Sequence, residues 1–345
     1  MTGRFLGSCA QARAGVRSLT RRSVLASTAC LLAAAGASRR GLAREALPDG
    51  VRTIAKGLQF PEGLFTYPDG AIGCVEIAGG TLLRIDRRGR QEITARPGPG
   101  PNGAALLPDG SVLVADNGGI AFRRTEQGLR VAGLPVDLAP GRIVRVAPDG
   151  AVESLYTQCD GAALNGPNDL ILDGLGGFWF TDTGKLRPTG QDPGALYHAR
   201  LDGSRIERVL HPLDAPNGLC RTPDGDLLVV LSKARTVLKL PARGDTLGPA
   251  AVFARLPGAM ILDNIVCDED GTTLIGCVRP GGIAVVSPGG ILQALIALPD
   301  FAVTALAFAG EDRREVLACL SSTGRIVSLA WPRPGLDRAT VPGTA

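Results

Sequence analysis

The chain has 345 residues, of which 45% are apolar, 20% charged and 4% aromatic, with 47 glycines, 25 prolines and a formal net charge of +4. In a polar chain that much glycine and proline would mean disorder; at this apolar content they punctuate many short strands instead. The basic excess lies in residues 1–43, which hold seven arginines and no acid, leaving 30 basic against 33 acidic residues in the remainder. Charge therefore gives no reason to expect a nucleic-acid partner.

Residues 1–43 are expected to be an export signal. Thr20-Arg21-Arg22-Ser23-Val24-Leu25 sets a twin arginine before an uncharged run, 23–38, with small residues at Ala35-Gly36-Ala37. That layout predicts a twin-arginine-type signal and a periplasmic or secreted mature protein. The apolar run is shorter than the roughly 20 residues of a bilayer span, so no stable membrane anchor is expected. Beyond the leader, Cys74, Cys159, Cys220, Cys267, Cys277 and Cys319 fall mostly inside apolar strand patterns without metal-type spacing. They read as buried free thiols, although an oxidising compartment would permit a disulfide.

From there on one layout recurs six times: a polar residue opens an apolar strand that ends in a turn. The opening residues are Glu62, Asn102, Asn168, Asn217, Asp263 and Thr304. Eight positions later come the turn glycines Gly70, Gly110, Gly176, Gly225 and Gly271, with Asp312 in the sixth copy. A second strand follows, as in Phe178-Trp179-Phe180, then a third, as in Ile143-Val144-Arg145-Val146, and in five copies a fourth, as in Gln91-Glu92-Ile93-Thr94. The inner strands lack strict alternation, as strands covered on both faces do. The sixth copy has no fourth strand, and Val51-Arg52-Thr53-Ile54 supplies a matching one ahead of the first copy.

This periodicity predicts an all-β fold, a six-bladed β-propeller with four-stranded blades over residues 44–331, its ring closed by the N-terminal strand. A β-sandwich would need far fewer strands. The proline-rich stretch 332–345 is expected to be a loosely ordered tail. The longest gap between opening residues, Asn102 to Asn168, contains an insertion around residues 134–140 that is expected to roof a pocket.

If every opening residue starts the innermost strand of its blade, all of them face one end of the central channel. Two carboxylates and three amides, with no histidine or thiolate, make an oxygen-only set. Such a set suits a hard cation, and Ca²⁺ better than Zn²⁺. Capping of turns explains one or two such positions, but poorly explains five at one register. Glu76, Asp116 and Asp182, each fourteen residues after its opening residue, read as structural anchors at the ends of second strands.

The motifs Pro61-Glu62-Gly63, Asn165-Gly166-Pro167-Asn168-Asp169-Leu170, Phe180-Thr181-Asp182, Pro216-Asn217-Gly218-Leu219 and Leu262-Asp263-Asn264, in this order, resemble the gluconolactonase, regucalcin and luciferin-regenerating enzyme family. Paraoxonases and strictosidine-synthase-like proteins are more distantly similar. The resemblance implies a metal-dependent lactonase opening a small-molecule lactone, a sugar lactone such as gluconolactone. It implies metal-binding roles for Glu62, Asn217 and Asp263, with Asp263 also the general base, and for Asn168 a contact to metal through water or to substrate directly. Asn264 would be a further ligand. Ca²⁺ is the cation expected, with Zn²⁺, Mg²⁺ and Mn²⁺ also compatible. Where regucalcin-like members carry a sugar-gripping arginine this chain has Gly166, which leaves Asn102 and Asn165 to hydrogen-bond substrate hydroxyls. The histidine pair of the paraoxonases has no counterpart, since His198 and His211 fall in or beside outer strands of the third blade.

The expected chemistry is polarisation of the lactone carbonyl by the cation and attack by water. Either Asp263 or the ion itself would activate that water, and the sequence leaves both open. Serine hydrolase chemistry fares badly, because no Gly-x-Ser-x-Gly elbow appears. Phosphate-binding loops are also missing. Aryl-ester or phosphotriester hydrolysis is kept as a side activity, and a non-enzymatic ligand- or protein-binding propeller is the alternative from another class. A strictosidine-synthase-like condensing enzyme would need a catalytic glutamate that has no evident place. The sequence carries no signal for oligomeric state.

Overall fold

The computed structural model describes residues 47–336. The expected leader, 1–43, lies outside the described residues, as does 337–345 of the expected tail. Six antiparallel four-stranded sheets account for the periodicity. The first blade is Pro61–Thr66, Ile72–Glu76, Thr81–Ile85 and Gln91–Ala95, in that order from the inside out. The inner strands of the next five are Pro101–Leu106, Pro167–Leu172, Pro216–Arg221, Ile261–Cys267 and Val303–Ala309. Each inner strand touches the next, and the last touches the first, which closes a six-bladed propeller. In the sixth blade the outer strand is Arg52–Lys56, paired antiparallel to Arg325–Ala330 with Arg52 opposite Ser328. The N-terminal strand therefore closes the ring, as expected.

Burial follows the strand order. The second strand of the first blade, Ile72–Glu76, is buried throughout, whereas the outer strand Gln91–Ala95 is exposed over its first three residues. The core is not one mass but six hydrophobic layers, one between each pair of neighbouring blades. The layer between the first and last blades holds Leu64, Cys74 and Leu83 against Ala305, Leu317 and Cys319. All six cysteines of this region are buried and free. Burial pushes the thiols of Cys74, Cys267, Cys277 and Cys319 up, Cys277 to about 11, so they behave as inert hydrophobes.

Four short hairpins decorate this frame, and the periodicity did not predict them. The largest, Ala121–Thr125 paired with Gly128–Gly133, belongs to the second blade. The insertion expected around 134–140 thus begins earlier and is ordered by its own strand pairing. This hairpin reaches across to the sixth blade: Leu129 N–H donates to the Ser322 carbonyl at 2.7 Å, and the Ser322 hydroxyl donates to the Leu129 carbonyl at 2.6 Å. The Arg130 guanidinium stacks 4.3 Å over the Phe301 ring, and Phe122 packs on Phe60 at 4.8 Å. The start of the expected loose tail is also held. Leu336 N–H donates to the Cys267 carbonyl at 2.9 Å, and Arg333 Nε reaches Asp268 at 2.7 Å, so the ordered fold extends past residue 331 to Leu336.

One irregularity repeats in all six inner strands. The ladder to the second strand slips between Glu62 and Phe65, Pro101 and Ala104, Pro167 and Leu170, Pro216 and Leu219, Leu262 and Ile265, and Val303 and Leu306. The opening residue sits at this bulge every time. A bulge bends its strand and re-aims a side chain, which is how a residue in a covered strand is turned into the channel. Just after it, neighbouring blades make their closest approach. A Cβ on Gly63 would stand 2.4 Å from the Asn102 carbonyl oxygen, one on Gly103 the same distance from that of Asn168, and one on Gly218 2.5 Å from Asn264 Cα.

Gly103→Ala is expected to destabilise the fold by about 1–3 kcal/mol, the usual cost of overpacking against backbone. Urea denaturation reads this as a lower midpoint at constant slope; an unchanged midpoint would mean that the blades are not in contact there.

Candidate functional site

The loop leading into each opening residue is fixed from the second strand of its own blade. Pro61, Pro101 and Pro167 pair opposite Glu76, Asp116 and Asp182. Glu76 accepts from Gln59 N–H and the Thr81 hydroxyl, both at 2.6 Å. Asp116 accepts from the N–H groups of Gly100 and Gly118, each at 3.0 Å, and from Arg142 Nε at 3.0 Å. Asp182 accepts from the N–H groups of Asn165, Gly166 and Gly184 at 2.8, 2.7 and 2.9 Å. These buried acids serve as anchors, as expected. They satisfy backbone donors that could not be left unpaired, and in doing so set the direction in which Glu62, Asn102 and Asn168 leave the strand.

At the channel, side chains from five of these strands interact. Glu62 is buried, hydrogen-bonds with Thr304 and feels the charges of Asp263 and Asp169. Burial first, then Asp263, pushes the Glu62 carboxyl well above the usual carboxylate range. Asp263 is raised to about 7 by burial and by Asp169, against a hydrogen bond with Asn217 that acts in the other direction. Asp263 is half-buried. Like-charged carboxylates held together in this way repel one another until a proton or a cation intervenes.

Asp169 and Asn264 follow opening residues at equivalent places and play equivalent parts. Asp169 Oδ2 accepts from Leu219 N–H in the fourth blade at 3.2 Å, and Asn264 Oδ1 accepts from Leu306 N–H in the sixth at 3.2 Å. Asn264 Nδ2 also donates to Asp169 Oδ2 at 2.8 Å. Where Gly63, Gly103 and Gly218 let blades touch by lacking a side chain, these two bridge them with one. Asn264, expected as a ligand, thus has both ends of its amide engaged in holding the ring together.

A cavity of about 600 Å³ opens beside the second and third blades. Its polar lining includes Asn102, Asn168, Asn117, Thr183 and Lys185, and its walls include Ile120, Val131, Leu134 and Leu186. The hairpin of the second blade forms one side of it, and of the expected insertion only Leu134 reaches its lining. Asn102 and Asn168 meet here. Asn165 does not join them: it is not among the lining residues, and its Nδ2 donates to Asp192 at 2.9 Å. A side chain at Gly166 would meet the Gly184 carbonyl oxygen at 2.7 Å, so the backbone itself forms this part of the lining.

Asn117, Thr183 and Lys185 were not singled out from the sequence. The available signal was their place one to three residues after the anchors Asp116 and Asp182, where the chain has just reached the channel end of a blade. The histidines are remote from the site. His198 Nε2 pairs with buried Asp173 at 2.9 Å beside Trp179, and His211 Nδ1 bonds the Gly194 carbonyl at 3.1 Å on the outer strand.

Among the described residues no three His, Cys, Asp or Glu side chains gather in metal-holding geometry, so a cation here would draw on amide oxygens besides Glu62 and Asp263. The donors fit such an ion in kind: they are oxygens only, and the carboxylates crowd one another in its absence. Among the described residues no helix is long and apolar enough to cross a membrane.

Comparison with known proteins agrees with this architecture. The chain is 25% identical to the gluconolactonase of Zymomonas mobilis over 221 residues, 57% of this chain and 54% of that protein. It is 29% identical to strictosidine synthase-like protein 3 of Arabidopsis thaliana over 140 residues, 37% of this chain and 35% of that one. It thus spans about a third to a half of the length of these curated relatives. Among solved structures, the calcium-binding protein regucalcin of Agrobacterium tumefaciens superposes with a TM-score of 0.66 at 19% identity, covering 82% of this chain and 94% of that one. A gluconolactonase of Xanthomonas campestris gives 0.65 at 21% identity, covering 82% and 89%. At such identities these likenesses speak to the fold alone. The family model described as the SMP-30/gluconolactonase/LRE-like region matches residues 60–321, well over half of the sequence. The chain therefore belongs to the SMP-30/gluconolactonase/LRE-like family.

Proposed function

We propose that the protein is a divalent-cation-dependent lactone hydrolase working at the channel end of the propeller. The observation that carries this reading is the convergence of Glu62 and Asp263 from the first and fifth blades, in a buried setting that a cation would relieve. In this reading Glu62, Asp263, Asn217 and Asn168 hold the ion, and Asn264 braces the ring behind them. Such a cation, Ca²⁺ by the all-oxygen donor set, supplies Lewis-acid polarisation of the lactone carbonyl when bound. Asn102 and Asn168 present amides to the ring substituents from the floor of the cavity.

Asp263 takes the proton of the attacking water. The new C–O bond forms at the carbonyl carbon, the ring C–O bond breaks, and the proton passes from Asp263 to the departing ring oxygen, leaving a hydroxy acid. The gluconolactonase names among the relatives make a sugar lactone such as gluconolactone the first substrate to test.

Three outcomes are expected. Protein stripped with a chelator should open no lactone of a sugar and aliphatic panel, and Ca²⁺ should restore turnover. Ca²⁺ at about 100 times its Kd should also stabilise the fold by about 2.7 kcal/mol, seen as a rise in Tm that Glu62→Gln with Asp263→Asn removes. A rise in Tm with no turnover on any lactone would instead favour a ligand-binding propeller with a structural ion. Asp263→Ala should lower kcat by about 10²–10⁴, the range for loss of a general base, with the circular dichroism of the folded protein retained. Retained turnover would remove Asp263 from the mechanism.

A further inference from the structure

The cavity beside the channel carries a charge that lactone opening does not need. Lys185 is 5% exposed, yet it lines the cavity. Its ammonium has three donors, and a hydrogen bond to the Asn117 carbonyl uses one. Asp182 and Asp116 are the acids whose charges bear most on it. Their oxygens are taken by the N–H groups of Gly100, Gly118, Asn165, Gly166 and Gly184 and by Arg142. Arg123, on the cavity side of the hairpin, is the second cation of the lining, and no Asp or Glu is part of it. Ile120, Val131, Leu134 and Leu186 supply its apolar wall, of which Val131 and Leu186 are exposed to solvent.

A purely structural lysine would be content with the Asn117 carbonyl. That account leaves two donors of a buried ammonium, whose charge Asp182, Asp116 and Asp192 offset from outside the lining, and a second cation from another element beside a space lined by no acid.

We propose that Lys185 and Arg123 form an anion subsite, and that the preferred substrate is a lactone bearing a carboxylate away from the reacting ring ester. This rests on the lactonase reading for its chemistry, but the subsite itself is a binding claim and is testable without turnover. The carboxylate would accept from Lys185 Nζ, with Arg123 approaching from the hairpin, while the ester faces Asp263. Lys185 and Arg123 are specificity-determining residues here and take no part in bond making.

The test compares gluconolactone with glucarolactone, in which a carboxylate replaces the terminal hydroxymethyl group, on the Ca²⁺-loaded full chain. Titration calorimetry with ring-opened glucarate is run in parallel. The wild type is expected to favour glucarolactone in kcat/KM and to bind glucarate with an affinity that falls as salt rises. Lys185→Met should reduce the glucarolactone-to-gluconolactone ratio by roughly 10- to 100-fold, the value of a charge-assisted hydrogen bond. Arg123→Gln, in an exposed strand where folding is not at stake, should reduce it several-fold. Turnover of gluconolactone with equal or better efficiency than glucarolactone, or a ratio that both variants leave unchanged, would overturn the subsite while the lactonase reading stands. Absence of turnover on either lactone, with glucarate binding that Lys185→Met and Arg123→Gln weaken, would uphold the subsite and sink the lactonase.

Discussion

Everything at the channel depends on how closely neighbouring inner strands approach at one level. Strands of one sheet are held at the spacing of their hydrogen bonds, but strands of neighbouring blades share no ladder and must be set by side chains or by their absence. Gly63, Gly103 and Gly218 set that distance by having no Cβ, so that backbone rests on backbone. Asp169 and Asn264 set it in the other way, by reaching over to the N–H groups of Leu219 and Leu306. Larger residues at these places would push the blades apart and carry the opening residues out of reach of one another.

The electrostatics follow from that geometry. Bringing six strand ends to one level also brings Glu62, Asp169 and Asp263 within one another's fields in a space that little water enters. Asp169 is committed to amide donors on two other blades, so the burden of like charge falls on Glu62 and Asp263. These two are the groups raised toward holding protons. The architecture thus creates a local shortage of positive charge at the channel.

Much of the architecture was legible because a propeller repeats. The spacing from each opening residue to its turn glycine gave the blades, the missing sixth outer strand gave the closure, and the acids fourteen residues on gave the anchors. What stayed hidden does not repeat. The hairpin at Ala121–Gly133 occurs once, and its docking on Ser322 and Phe301 joins positions that no local pattern links. The place of Asn264 needed the structure too, because a residue beside a bulge can turn either way. Asp263 and Asn264 are adjacent, yet one lines the channel and the other bonds across the blades. Asn165 was drawn from the cavity by Asp192, a partner in a hairpin loop that the repeat did not predict. The sixth copy shows the limit of the pattern itself: its turn is displaced by one residue, and Arg313, at φ 53°, takes the backbone conformation that glycine takes elsewhere.

The pairing of Arg52–Lys56 with Arg325–Ala330 joins nearly the two ends of the described residues. Contacts so distant in sequence form slowly, because the loop they close is almost the whole domain. Until they form, the last blade lacks its outer strand and leaves Arg325–Ala330 as a bare edge, which invites pairing with other chains. The channel is then open along one seam, with Glu62 and Thr304 on opposite banks of it. Ring closure therefore brings Glu62 and Thr304 together, and a chain that stalls before it has neither the closed channel nor a covered edge on its last blade.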